Sequence, residues 1–223
     1  MQEFATPAAI AAVVDVPAGR VRLIAADRAD TTVEVLPADA AKGRDVKAAG
    51  QVGVTYADGV LRIEAPEPKH RVLGSSGSVE VTVRLPAGSR VEVKAADAEL
   101  RGVGRLGDVT FDAARATVKL DEAARADLTV QEGDITVGRL TGPADISTRK
   151  GDLAVTEAVR GALTLRTDSG AISVGAARGT SATLDAGTAY GRVHNALVNT
   201  GATAPDLTIH ATTSYGDITA RSL

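Results

Sequence analysis

Six side chains of the kinds used in acid–base chemistry fall close together near the C-terminus: Asp185, Tyr190, His194, His210, Tyr215 and Asp217. Histidine beside a carboxylate moves protons near neutral pH, and tyrosine donates a proton or offers a flat ring. These six are the candidate catalytic residues. Catalysis needs them to converge in a cleft, and the plainer reading, which the sequence favours, is a set of solvated outward side chains.

Two other patterns invite chemistry and then lose it. Asp134 and Asp152 are 18 residues apart, as are Asp127 and Asp145, so stacked repeats would set carboxylate above carboxylate. Calcium takes about six to eight converging oxygens, and the Gly-Gly-x-Gly-x-Asp nonapeptide of calcium-binding rolls is absent. Arg149 and Lys150 sit close enough in sequence to offset the charge, so no metal is expected. Gly102-Val103-Gly104-Arg105-Leu106-Gly107 matches the dinucleotide pattern, which requires a helix after it to hold the pyrophosphate. Asp108-Val109-Thr110-Phe111-Asp112 follows instead and reads as a strand, so no cofactor is expected. No G-x-S-x-G, H-E-x-x-H or P-loop motif is present.

The elements that must position these residues are announced by a returning phrase. It runs Gly133-Asp134-Ile135-Thr136-Val137, Gly151-Asp152-Leu153-Ala154-Val155 and Gly170-Ala171-Ile172-Ser173-Val174, then Gly191-Arg192-Val193 and Gly216-Asp217-Ile218. A second phrase, at Gly142-Pro143-Ala144-Asp145-Ile146 and Gly161-Ala162-Leu163-Thr164-Leu165, keeps a nine-residue offset from the first. Self-similarity at this period signals stacked coils. The expected fold is all-β: a parallel β-helix or β-solenoid with coils of ~17–19 residues, two strands per coil. A two-layer sandwich is the competitor, but it would not keep the nine-residue phase. Alternation places Ile135, Val137, Leu140, Ala144, Ile146 and Thr148 inward in one coil, and Leu153, Val155, Val159, Leu163 and Leu165 in the next. Val109, Phe111, Val118, Leu120, Leu128 and Val130 take the matching places earlier. Tyr190 and Tyr215 each precede a phrase Gly and are expected to stack at the corner that holds Glu132, Lys150 and Ser169.

A single domain over 1–223 follows, with 1–97 forming less regular first coils or a cap and 98–223 the regular coils. Val13-Val14-Asp15-Val16, Pro17-Ala18-Gly19 and Arg20-Val21-Arg22-Leu23-Ile24 read as strand, turn, strand, and the device returns around Pro86-Ala87-Gly88. Residues 37–50 have room for a short helix, 66–78 read as a loop, and 195–205 lengthen the last interval and suit a lid.

Composition narrows the function classes. With 2% aromatic residues and 44% hydrophobic ones, the core must be Val, Ile, Leu and Ala, which suits a narrow coil. A net charge of −3 argues against nucleic acid as a partner. The lack of Cys removes disulfides and thiolate sites, no stretch is apolar enough to span a bilayer, and no signal peptide is seen, so a cytoplasmic protein is expected.

The grammar resembles the putative-adhesin family of bacterial β-strand-repeat proteins, a domain of unknown function. The resemblance rests on Val14-Asp15-Val16-Pro17-Ala18-Gly19-Arg20-Val21, on Val83-Arg84-Leu85-Pro86-Ala87-Gly88-Ser89, and on Tyr190-Gly191-Arg192-Val193-His194-Asn195 with Thr213-Ser214-Tyr215-Gly216-Asp217-Ile218. The ending is similar to actinobacterial members, and Arg outnumbers Lys 19 to 6, as in GC-rich genomes. The resemblance implies a β-solenoid and no catalytic residues to carry over. Together these readings give a non-catalytic binding or assembly scaffold for an unknown protein or small-molecule ligand. The final strand, 217–223, is expected at the open end of the stack, as a homo-oligomer contact. The alternatives are an enzyme acting on a small metabolite in actinobacterial secondary metabolism, through the Tyr/His region, and a regulator acting through a neighbouring transcription factor.

Overall fold

The computed structural model describes residues 1–66, 77–198 and 205–223. Runs of Val, Ile, Leu and Thr alternating with polar residues make strands almost throughout. The first part holds β1 (Gln2–Ala5), β2 (Ala11–Ala26), β3 (Asp30–Pro37), helix α1 (Gly43–Gln51), β4 (Gly53–Ala57), β5 (Val60–Glu64) and β6 (Val79–Pro86). A long winding strand, β7 (Arg90–Glu132), leads into β8 (Ile135–Leu140), β9 (Ala144–Lys150), β10 (Leu153–Ala158), β11 (Gly161–Ser169) and β12 (Ile172–Ala176). The chain closes with β13 (Ala182–Tyr190), β14 (Val193–Ala196), β15 (Leu207–Tyr215) and β16 (Ile218–Ser222). The expected short helix is α1, and the fold is all-β and solenoid-like.

Successive coils pair in parallel, each giving one strand to each of two columns. In the first column Leu128, Ile146, Leu165, Ala211 and Ala186 lie in one row across β7, β9, β11, β15 and β13. In the second, Val118, Ile135, Leu153, Ile172, Ile218 and Val193 lie in a row across β7, β8, β10, β12, β16 and β14. The inward positions read from alternation are buried, from Val109 and Phe111 through Leu165, with one exception. Val159 is only half-buried, and Ala158 takes its slot beside Leu140 and Ala176. The corner takes three steps in β8 and β10 alike, from Val137 to Leu140 and from Val155 to Ala158, so the buried slot falls at 158, one residue before Val159; β12, with two steps from Val174 to Ala176, is one residue shorter there.

The repeated Gly is set by how closely coils approach at one corner. A Cβ on Gly151, Gly170 or Gly216 would lie 2.1, 1.9 or 2.0 Å from the carbonyl oxygen of Gly133, Gly151 or Gly170, respectively, in the neighbouring coil. Each of the three also has a positive φ, between +146° and +156°, which side chains resist.

Both Pro-Ala-Gly devices turn corners without reversing the chain. The Pro17-Ala18-Gly19 corner bends β2 while the strand runs on, so its two arms pair in parallel with residues 90–95 and 97–104 of β7. After Pro86, the buried Ser89 hydroxyl donates to Pro86 O at 2.7 Å and accepts from Ile10 N at 3.1 Å. Beyond β2 the pattern changes to antiparallel: β6 pairs β3, β3 pairs β1, and β5 pairs β4. Phe4 and Tyr56 meet there, ring centroids 5.4 Å apart, and α1 lays Ala48 and Ala49 on the core. The N-terminal end of the stack is thus antiparallel, and its edge strands are the short β1 and β4.

The opposite end overturns one expectation. The last strand of the chain is not at the edge. β16 pairs with β12 on one side and β14 on the other, and β15 likewise lies between β11 and β13. The final coil is thus inserted beneath the coil that precedes it in sequence. Apolar burial explains the choice: Leu207, Ile209, Ala211, Ile218 and Ala220 are fully buried, whereas the matching places of β13 and β14 hold Ala182, Leu184, Ala186, Val193 and Asn195, a smaller side chain at 182 and 193 and a polar one at 195.

Replacing Ile146 or Leu163 with Ala should cost ~2–5 kcal/mol in a thermal or urea melt. Gly151→Ala should be at least as damaging, because a carbonyl oxygen occupies the space its Cβ needs. Gly50→Ala, in α1 with nothing within 4 Å of the new Cβ, should instead stabilise by ~0.5–1 kcal/mol. Equal effects of the two glycine changes would refute the close-approach argument.

Candidate functional site

The polar residues of the phrase are used between coils. Asp134 Oδ1 accepts from the backbone N–H of Asp152, Asp152 Oδ1 from that of Ala171, and Asp217 Oδ1 from that of Arg192, each at 2.8 Å. Each carboxylate caps an amide that the corner leaves outside the strand ladder. Asp217 also lies 3.6 Å from the Arg192 guanidinium. Of the two pairs that resemble a calcium ladder, Asp134 and Asp152 therefore point along the stack at backbone donors, whereas Asp127 and Asp145 lie side by side on the exposed face. Among the described residues, no group of three or more His, Asp or Glu is placed to hold a metal ion.

A second ladder escaped the sequence reading. Thr148, Thr167, Thr213 and Thr188 each donate a hydroxyl to the carbonyl of a phrase Gly in the adjacent coil, at 3.4, 3.1, 3.1 and 3.0 Å to Gly133, Gly151, Gly170 and Gly216. Its signal is visible in retrospect. Each Thr stands three residues before a phrase Gly: 148 and 151, 167 and 170, 188 and 191, 213 and 216.

The six candidate residues fall into separate groups. Tyr190 and Tyr215 stack as expected, centroids 4.9 Å apart and planes 5° from parallel, and they are 68% and 58% exposed. They continue the corner row of Glu132, Lys150 and Ser169, with Tyr215 next to Ser169 and Tyr190 outermost. His210 Nδ1 lies 3.2 Å from Asp185 Oδ2 on the outward face of the first column, and both side chains are exposed. His194 is on β14 in the second column, in register with Thr219. Asp217 is occupied by Arg192. The arrangement provides a flat aromatic surface and one polar pair on an open face. Of the 195–205 segment expected to act as a lid, 199–204 lie outside the described residues, as do 67–76 of the 66–78 loop.

Two depressions among the described residues lie beside other side chains. Asp97, Arg115, Glu132 and Lys150 alternate in sign along the same corner, 3.6, 3.6 and 3.8 Å apart in turn. A shallow hollow of about 520 Å³ runs over them, and a neighbouring one of about 640 Å³ adds Arg20, Glu99 and Thr117. Their charges neutralise one another. The apparent dinucleotide motif lies wholly inside β7, where a Cβ on Gly102 would meet the Leu120 side chain at 2.7 Å and one on Gly104 the Ala25 carbonyl oxygen at 2.1 Å. No helix follows it, so the glycines serve packing.

Residues 75–221, about two thirds of the chain, match the Toastrack DUF4097 family. The chain belongs to that family. Among solved structures, a protein from Parabacteroides distasonis described as a putative adhesin superposes with a TM-score of 0.50 at 14% identity, over 98% of this chain and 95% of that one. A putative adhesin from Bacteroides fragilis gives 0.46 at 11% identity, over 98% and 95%. A putative cell adhesion protein from Clostridium sporogenes gives 0.40 at 11%, over 100% and 98%. No curated protein matches. Among the described residues of this Toastrack chain, no helix is long and apolar enough to cross a membrane.

The Asp ladder has one gap. Ala171 occupies the Asp position, so it offers the Asp217 amide no carboxylate. Ala171→Asp should restore the rung and raise stability by ~0.5–1.5 kcal/mol, while Asp152→Ala should lose a similar amount. Thermal melts of the two variants check both signs.

Proposed function

We propose that this Toastrack chain is a non-catalytic parallel β-helix that serves as a scaffold for an extended, polymeric partner. The observation that carries the reading is the division of labour among its polar residues. The phrase Asp and Thr side chains are spent on holding coil to coil, whereas the outward rows are left to solvent. One such row is Thr129, Ser147, Arg166 and Thr212, and the next is Asp127, Asp145, Thr164, His210 and Asp185. Their rungs repeat at the ~4.8 Å inter-strand spacing, which favours a ligand with its own linear repeat over a compact metabolite. The stacked pair of Tyr190 and Tyr215 adds an apolar surface at the end of the corner row. The adhesin descriptions of the solved structures agree in kind with such a surface.

A partner that lies along several rungs gains affinity with its length, whereas a pocket ligand does not. Titration calorimetry with an oligosaccharide series of increasing length is the test. Affinity that climbs with chain length, and falls on Arg166→Ala, is the expected result. Full affinity for a single sugar unit, or turnover of any member of the series, would overturn the scaffold reading.

A further inference from the structure

The two ends of the stack differ, and the difference points to a partner. We infer that two copies of this chain associate through the end formed by β13 and β14, about a two-fold axis that sets β13 antiparallel to β13 of the second copy.

Among the described residues, β13 and β14 each have one paired neighbour, β15 and β16. Every earlier coil hands two corner amides onward. Gly133, Gly151, Gly170 and Gly216 donate to the carbonyls of Lys150, Ser169, Tyr215 and Tyr190, and Ile218 donates to Arg192. In the outermost coil those places belong to Gly191 and Val193, which have no coil beyond them among the described residues. The same coil leaves core positions uncovered. Val193 shares a row with the buried Ile172 and Ile218 yet is 45% exposed, and Leu184 and Ala186 are only partly covered. Tyr190, Val198 and Leu223 bring further exposed apolar area to the last coils.

Edge strands that stay single are usually short or carry Lys, Pro or a bulge. β1 and β4 at the N-terminal end have four and five residues. β13 has nine, reading ATLDAGTAY, with neither Lys nor Pro, and its register with β15 is unbroken from Ala182 to Thr188. Its one charge, Asp185, is engaged by His210.

The occupant follows from symmetry and charge. Head-to-tail stacking would need a coil-like face at the N-terminal end, where the edge strands β1 and β4 are instead short and antiparallel to their neighbours. That leaves a closed, isologous contact. An antiparallel register centred on Ala186 keeps inward residues inward, because facing positions differ by an even number. Ala186 then meets itself, Leu184 meets Thr188, and Asp185 meets Gly187 of the second copy rather than another carboxylate. A Cβ at Gly187 would touch nothing within 4 Å, so the position has room for the Asp185 side chain opposite. The strand is self-complementary in that register. This inference goes beyond the scaffold reading, which does not require a dimer, and a failed sugar titration leaves it standing.

The test uses the full chain in sedimentation velocity and light scattering across a concentration series. A reversible dimer is expected. Val193→Lys should shift it to monomer with an unchanged circular-dichroism spectrum. Because the chain has no cysteine, Ala186→Cys gives a second readout that does not rely on that variant folding. Mild oxidation should cross-link Ala186→Cys into a dimer and leave Thr110→Cys, on an exposed mid-stack position, monomeric. A wild-type monomer at every concentration would mean the end is free or reserved for another protein, and overturns the proposal. So would growth beyond two copies, or a dimer that Ala186→Cys does not trap.

Discussion

The whole architecture depends on one distance. At the phrase corner a glycine carbonyl of one coil sits about 2 Å from where the next glycine would carry a Cβ. That approach lets the Thr three residues upstream reach the same carbonyl and lets the phrase Asp reach the amide beyond it. Any side chain at the glycine would push the coils apart and break both ladders together. The apolar rows then follow, because coils held in register at the corner must also stack Ile, Leu and Val on themselves along the core. Backbone geometry comes first, polar ladders lock it, and the hydrophobic interior fills the space that remains.

Much of this was legible in the chain. Strict alternation within strands and intervals of 18 and 19 residues placed Ile146, Leu163 and their neighbours inward. The Tyr before each of two phrase glycines placed the aromatic stack. Val159 misled because strict alternation from Val155 leads to 157 and 159, whereas the corner takes three steps and buries Ala158 beside Leu140. The Thr ladder went unread because a β-branched residue on an inward position already fits a strand, and nothing in its type announces a hydrogen bond across coils.

The order of the last two coils was not legible for a different reason. Residues 182–191 and 207–216 follow the same grammar 25 positions apart, with Thr183 and Thr208, Ala186 and Ala211, Thr188 and Thr213, and Tyr190 and Tyr215 in matching places. Either coil satisfies the corner. The choice falls to which one buries more apolar surface against β11 and β12, a tertiary quantity that local pattern does not carry. The contact between His210 and Asp185 survives the exchange, since β13 and β15 are neighbours in both orders. Where that pair sits along the stack does not.

Inserting the final coil also changes the chronology of the molecule. A chain emerging N-terminus first has every coil from β7 to β12 ready to stack as it appears, each upon its predecessor. Residues 182–196 are synthesised next and have no native neighbour, because their berth on β15 and β16 does not yet exist. They must wait, unpaired, until the last residues of the chain arrive and slide into the gap. The C-terminal strands are therefore a keystone, and losing them would set adrift a segment that lies wholly upstream of the cut.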